Sequence, residues 1–293
     1  MLKIKKRYFP RTKPKFNSHV RAHEEIVSNE VWYSDQPPSL GPGFSAAKAQ
    51  ERTDSVLGIL LRAAKRAEKN GTGDLAETYY QLHDKLDACR PRSRCGSLAC
   101  PPCARAFQKA KIAAHQDIIT SLKKEPNKHL VWVTVIPRKM MYQPGHFAEI
   151  DVKKANRRLK DALKAVGNRT ILGSADLGWE TRRGKGYIQV HWHLMMWTQR
   201  PKKLKKKLTS IFTRTKKHER PVEVRVPDDL GFLPYTNKTI KLVEWLRFNR
   251  KQLPELLLAL DRTDPVDFLV HTKMKLIAQS GRLAFKRIGE NER

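Results

Sequence analysis

The chain has 293 residues, with 59 Lys+Arg against 29 Asp+Glu, a net charge of +30 and 40% hydrophobic residues. That apolar content supports a packed core and excludes a wholly disordered chain, while the charge points to polyanionic partners, above all nucleic acid. No apolar stretch approaches the ~20 residues of a membrane span and no apolar leader opens the chain, so a cytoplasmic protein without membrane association is expected.

Residues 1–50 read as a basic arm, with seven cationic side chains and no acid in residues 1–15, followed by Gln36-Pro37-Pro38-Ser39-Leu40-Gly41-Pro42-Gly43. Residues 51–128 read as a helical region holding a cysteine cluster. The helical pattern sets in at Ala46 and runs to Asp87, with Val56, Leu57, Ile59 and Leu60, then Leu75, Tyr79, Leu82 and Leu86. It breaks near Asn70-Gly71-Thr72-Gly73, which predicts a helix pair, and Ala104 to Lys124 predicts a long basic helix.

Residues 129–250 alternate strands and helices and read as one domain. Leu130 to Ile136 is a strand stopped by Pro137, and Asp151 to Val166 is an amphipathic helix. Ile171–Thr181 and Tyr187–Trp197 form a hairpin, Leu204 to Lys217 is a second helix, and Pro221 to Val226 is an exposed edge strand. The expected fold is α+β: an antiparallel sheet of split βαβ (ferredoxin- or RRM-like) topology with flanking helices and a small N-terminal zinc-binding element. A helix is expected over Asp228 to Asn249, and further helices over Leu253 to Arg287, so that residues 251–293 form a helical extension.

His191-Trp192-His193 lies inside the apolar strand, where alternation puts both imidazoles on one face roughly ~7 Å apart, within reach of one metal ion. A hard ion such as Mg²⁺ or Mn²⁺ asks for a carboxylate as well, and Glu180 is the candidate. With the hairpin centred between Gly184 and Lys185, Glu180 falls opposite Gln189 and diagonal to His191. Cys89, Cys95, Cys100 and Cys103 end in a Cys-x-x-Cys among Arg90, Arg92, Arg94 and Arg105, a pattern suited to a structural zinc site beside nucleic acid.

The strand Val131-Trp132-Val133-Thr134-Val135-Ile136, the glutamate strand ending Gly178-Trp179-Glu180-Thr181, the pair His191-Trp192-His193 and the downstream Tyr235-Thr236-Asn237-Lys238 follow one another in an informative order. Together they resemble the His-hydrophobic-His endonucleases that initiate rolling-circle replication, over roughly residues 130 to 245. Tyr235 follows the histidines, as in replication initiators, where conjugative relaxases place the tyrosine first; Pro234 before it and Thr239 after Lys238 depart from the common pattern. The resemblance implies a metal-dependent nicking and joining enzyme with Tyr235 as nucleophile and Lys238 as its helper. It would act on single-stranded or hairpin DNA at the replication origin of a plasmid or phage, with a host helicase as a possible further partner.

Tyr187, Tyr142, Tyr79 and Tyr80 compete for the nucleophile's role on composition alone. A transposase of the same chemistry would carry the same residues. A third reading is a non-catalytic, zinc-containing nucleic-acid-binding protein on an RRM-like sheet.

Overall fold

The computed structural model describes residues 46–122, 129–137, 140–167, 170–182, 185–212, 221–228, 230–237, 252–279 and 282–288, without the side chains of 46, 181, 182, 185, 235, 278, 279 and 282. The basic arm over residues 1–45 lies outside the described residues. Helices α1 (Ala46–Lys69) and α2 (Gly73–Asp87) form the expected antiparallel pair. Gly71 takes a φ of 69° in the turn between them, a left-handed conformation that glycine adopts without a Cβ penalty. The cysteine loop then leads into α3 (Pro101–Leu122).

Strands β1 (His129–Val135), β2 (Met141–Tyr142), β3 (Ile171–Arg182), β4 (Lys185–Thr198), β5 (Val222–Arg225) and β6 (Leu269–Thr272) make a six-stranded sheet. Its order is β5-β1-β4-β3-β6, with β2 paired to β4, and every recorded pairing is antiparallel. Helix α4 (Val152–Lys164) joins β2 to β3, and α5 (Pro201–Ile211) joins β4 to β5. The fold is therefore mixed α+β around an antiparallel sheet. No described helix is long and apolar enough to cross a membrane.

Alternation decides what each face carries. Val131, Val133 and Val135 of β1 and Val190, Trp192, Leu194 and Met196 of β4 share one face and are buried. Ala155, Leu159 and Leu163 project from α4 into the core, and Asp151 caps this helix by accepting from the backbone of Lys154 at 2.7 Å. Asn156 fixes the helix to the sheet: its Oδ1 accepts from Trp192 Nε1 at 2.8 Å while its Nδ2 donates to the carbonyls of Asp267 at 2.6 Å and Leu269 at 3.3 Å.

Two expectations are corrected. Among the described residues of Leu253 to Arg287, only α7 (Leu253–Arg262) is α-helical; after a short 3₁₀ turn the chain becomes β6, β7 (Met274–Gln279) and β8 (Arg282–Arg287). The buried positions Met274 and Leu276, and Leu283 and Phe285, recur every second residue, the period of a strand, and β6 adds to the main sheet beside β3. The helix expected from Asp228 begins only at α6 (Leu233–Thr236), with Pro234 in its first turn; residues 238–251 lie outside the described residues. The expected long basic helix is α3, and its Arg105, Lys109 and Lys111 are buried.

Asn156 is buried and makes three hydrogen bonds, to Trp192 and to the carbonyls of Asp267 and Leu269. Asn156→Leu is expected to cost about 3 kcal/mol in urea unfolding, since it strands the Trp192 donor and two carbonyls. A change below about 0.5 kcal/mol, the scale of ordinary surface substitutions, would remove Asn156 as the tie between α4 and the sheet.

Candidate active site

The face opposite α4 collects the polar groups. The β3–β4 ladder sets Ser174 opposite His193, Asp176 opposite His191, Gly178 opposite Gln189 and Glu180 opposite Tyr187. This differs by two residues from the expected register, in which Glu180 faced Gln189. The strands pair as far as Arg182 and Lys185, leaving a two-residue connection, a favoured hairpin length. A shift of two preserves the face, so Glu180 still shares it with both histidines.

Glu180 Oε1 lies 3.8 Å from His191 Nε2, although four ladder positions separate them. Gly178 makes that reach possible: a Cβ built there would sit 2.6 Å from His191 Cε1. The imidazole thus lies across the strand where any other residue would project. His193 is more enclosed, with Thr134 Oγ1 hydrogen-bonded to its Nδ1 at 3.2 Å and Asp176 Oδ2 3.5 Å from its Nε2. Side-chain exposures of 1% and 3% for His193 and Asp176, against 13% and 43% for His191 and Glu180, show that the site opens to solvent at the Glu180 end.

Each histidine therefore meets a carboxylate. Ligands held at about 2.1 Å by one ion stand ~3.0–3.4 Å apart, so the observed separations of 3.5 and 3.8 Å suit two ligands of a common cation with a small contraction. His191, His193 and Glu180 do not meet at one point as drawn: among the described residues, the cysteines alone form a group of three or more possible ligands within 4.8 Å of one another. Asp176 went unnoticed in the sequence because its match to His191 and its contact with His193 depend on the register. Its spacing of i and i+4 from Glu180 on one strand was the available signal.

The tyrosine segment lies on this face. Ser174 Oγ donates to the carbonyl of Thr236 at 2.8 Å, and Gln108 of α3 donates to the carbonyl of Pro234 at 2.9 Å, so the residues on both sides of Tyr235 are tied down. His115 Nδ1 donates to Asn237 Oδ1 at 2.6 Å, with both side chains fully buried. Phe232 stacks on Trp132 at 6.0 Å between ring centroids, and Arg225 lies over the same indole at 5.6 Å. The backbone of Tyr235 is thereby placed, its side chain falls outside the description, and Lys238 lies outside the described residues.

Helix α3 also brings Lys111 to the buried side, where burial pulls the ammonium down to about 7 against the attraction of the Asp176 carboxylate. Burial likewise pulls His115 down to about 3, opposed by the hydrogen bond to Asn237. At its other end α3 supplies Cys103 to the cysteine cluster, and Cys100 directly precedes the helix. Cys89 Sγ lies 3.6 Å from both Cys103 and Cys100, and Cys95 lies 3.5 Å from Cys103. Four sulfurs around an ion at ~2.3 Å stand ~3.8 Å apart, so the cluster has close to tetrahedral metal-site spacing and far exceeds the ~2.05 Å of a disulfide. Hydrogen bonds from Cys100 and Cys103 hold the Cys89 and Cys95 thiols below their ordinary range, and Arg94 Nη1 donates to Cys89 at 3.9 Å. Of the competing tyrosines, Tyr79 is buried on α2, Tyr80 bonds Glu68 of α1 at 3.2 Å and Tyr142 is on β2, whereas Tyr187, the ladder partner of Glu180, shares the histidine face. Comparison with family models, curated proteins and solved structures returned no match to the chain.

The burial of neutral His115 makes stability depend on pH. From about 6.5 down to about 3 the unfolded chain accepts a proton that the folded chain refuses, so stability falls as pH drops through that window. His115→Gln, which retains a donor for Asn237, is expected to flatten the dependence by up to about 1.4 kcal/mol per pH unit in denaturant titrations. Parallel curves for the parent and the variant would contradict this.

Proposed function

We propose that the chain is a metal-dependent, single-tyrosine enzyme that nicks and rejoins DNA at a replication origin, of the His-hydrophobic-His kind. The observation that carries this reading is the hydrogen bond from Ser174, the ladder partner of His193, to the carbonyl beside Tyr235. It ties the nucleophile's segment to the histidine face. The strand order β5-β1-β4-β3, with helices between β2 and β3 and between β4 and β5, is what supports the split βαβ assignment.

His191 and His193, with Asp176 and Glu180, would hold Mg²⁺ or Mn²⁺, which supplies polarisation of the scissile phosphate and neutralises charge on its oxygens. The chain's own groups do the rest. Thr134 and Asp176 orient His193, and Gly178 leaves His191 room to turn toward Glu180. Tyr235 Oη attacks phosphorus: a tyrosyl O–P bond forms, the P–O3′ bond breaks, the phenol loses its proton and the departing 3′-oxygen gains one. A free 3′-hydroxyl and a 5′-phosphotyrosine result, and reversal of the same step rejoins a strand. Lys238 would hold the phosphate near the phenol.

The four cysteines would hold a structural zinc ion, as their sulfur spacing favours. Purified protein is expected to contain one zinc per chain by elemental analysis, and Cys100→Ser with Cys103→Ser is expected to abolish it and lower Tm. Metal-free protein of undiminished Tm would contradict the assignment.

Incubation of the protein and Mn²⁺ with single-stranded DNA from its own replicon, followed by denaturing electrophoresis and peptide mass spectrometry, tests the catalytic reading. The expected result is a DNA adduct on Tyr235 that disappears in Tyr235→Phe and falls at least about 100-fold in His193→Ala and Asp176→Asn, a loss on the scale of electrostatic catalytic groups. Salt-sensitive binding without adduct across a tiled set of that DNA would leave the non-catalytic binding protein in its place.

A further inference from the structure

Beyond the histidine face, a strongly cationic cleft lies where β4 passes into α5. Its volume is about 430 Å³, and Arg200, Lys203 and Lys207 line it together with Trp197, Thr198 and Leu204. The three apolar or neutral groups are buried at 7%, 2% and 2% exposure, while the three cations are exposed. Thr198 Oγ1 accepts from the backbone of Arg200 at 3.2 Å, which fixes the first cation at the mouth. No carboxylate lines the cleft, and no ion pair joins these three cations to another described residue.

Resting on the nicking reading, we propose that this cleft is a second DNA contact that grips the sugar-phosphate backbone without reading bases. Arg200, Lys203 and Lys207 fall on one side of α5 over seven residues, about 10 Å at 1.5 Å per residue, which matches about three phosphates of a B-form strand at ~3.4 Å each. A lipid surface fits less well. Leu204 and Leu208 of α5 are buried, and the exposed large hydrophobic side chains among the described residues are Leu75 and Val226, so α5 presents no apolar side for a bilayer. His191 and Trp197 lie on the same side of β4 six residues apart, about 20 Å at ~3.4 Å per residue, or about six steps of a B-form strand. The cleft therefore holds DNA roughly half a helical turn from the site of cutting, where it keeps the flanking duplex or hairpin stem in place while the strand is cut.

Two triple variants of the full chain separate a built cleft from diffuse charge. Arg200→Ala/Lys203→Ala/Lys207→Ala removes the lining cations, and Lys202→Ala/Lys205→Ala/Lys206→Ala removes the same charge from exposed positions of α5 outside the cleft. Affinity for a labelled generic duplex is measured by anisotropy in EDTA across a salt series, after circular dichroism shows both variants folded. The cleft variant is expected to lose at least about tenfold in affinity and to lower the log K against log salt slope by about 2.7, at ~0.9 per phosphate contact. The control is expected to change by less than half as much. Equal losses in both variants, no loss in the cleft variant, or a loss on anionic vesicles in place of duplex would each overturn the proposal. The readout needs no cleavage, so failure of nicking with an intact slope difference would count against the catalytic reading alone. A methylphosphonate about six nucleotides from the cut is expected to weaken the parent and leave the cleft variant unchanged; equal weakening of both would overturn the placement.

Discussion

The register of β3 against β4 is the constraint on which the histidine face depends. Twelve consecutive pairs from Ile171↔Met196 to Arg182↔Lys185 put Ser174, Asp176, Gly178 and Glu180 on the same side as His191 and His193. A slip of one residue would send all four to the α4 side, where Ala175 and Leu177 now pack, and would leave buried carboxylates among apolar groups. The register is held from both sides. Trp192 is pinned to Asn156 of α4, and Ser174 is pinned to the Thr236 carbonyl of α6.

Helix α3 joins the two chemically specialised parts of the chain. Its first turn carries Cys103, directly after Cys100, and its next turns carry Gln108 to Pro234, Lys111 beside Asp176 and His115 to Asn237. A helix is stiff over that length, so the cysteine end sets where the tyrosine segment is buttressed. The same helix also receives the β7–β8 hairpin, through Phe285 stacked on His115 at 5.0 Å. Burying Lys111 and His115 disfavours their charged forms, and both residues are spent on fixing the site from behind.

Period and punctuation made much of this legible. The helix pair breaks at Gly71, β1 ends before Pro137, and β4 holds the alternating histidines in the way a period of two requires. The edge position of β5 followed from its exposed alternation. What stayed hidden depends on partners distant in sequence. Asp176 reads as an ordinary strand residue until the ladder sets it beside the histidines, and Ser174 gains its meaning from a carbonyl 62 residues away. Lys111 and His115 look like the polar side of a basic helix because nothing local announces that β8 and α6 will cover them. The strands after α7 are hidden for a related reason: their runs are short, and a period of two over four to six residues is a weak signal in an apolar segment that begins with a helix.

The central claim is that the histidine face holds one divalent ion beside the tyrosine segment. Its most direct test is anomalous diffraction from crystals of the full chain grown with Mn²⁺. The account predicts one anomalous peak within about 2.2 Å of imidazole nitrogens of both His191 and His193 and of a carboxylate oxygen of Asp176 or Glu180, lost in His191→Ala/His193→Ala. Mn²⁺ sites elsewhere on the protein, with clear density for an empty histidine face, would contradict it.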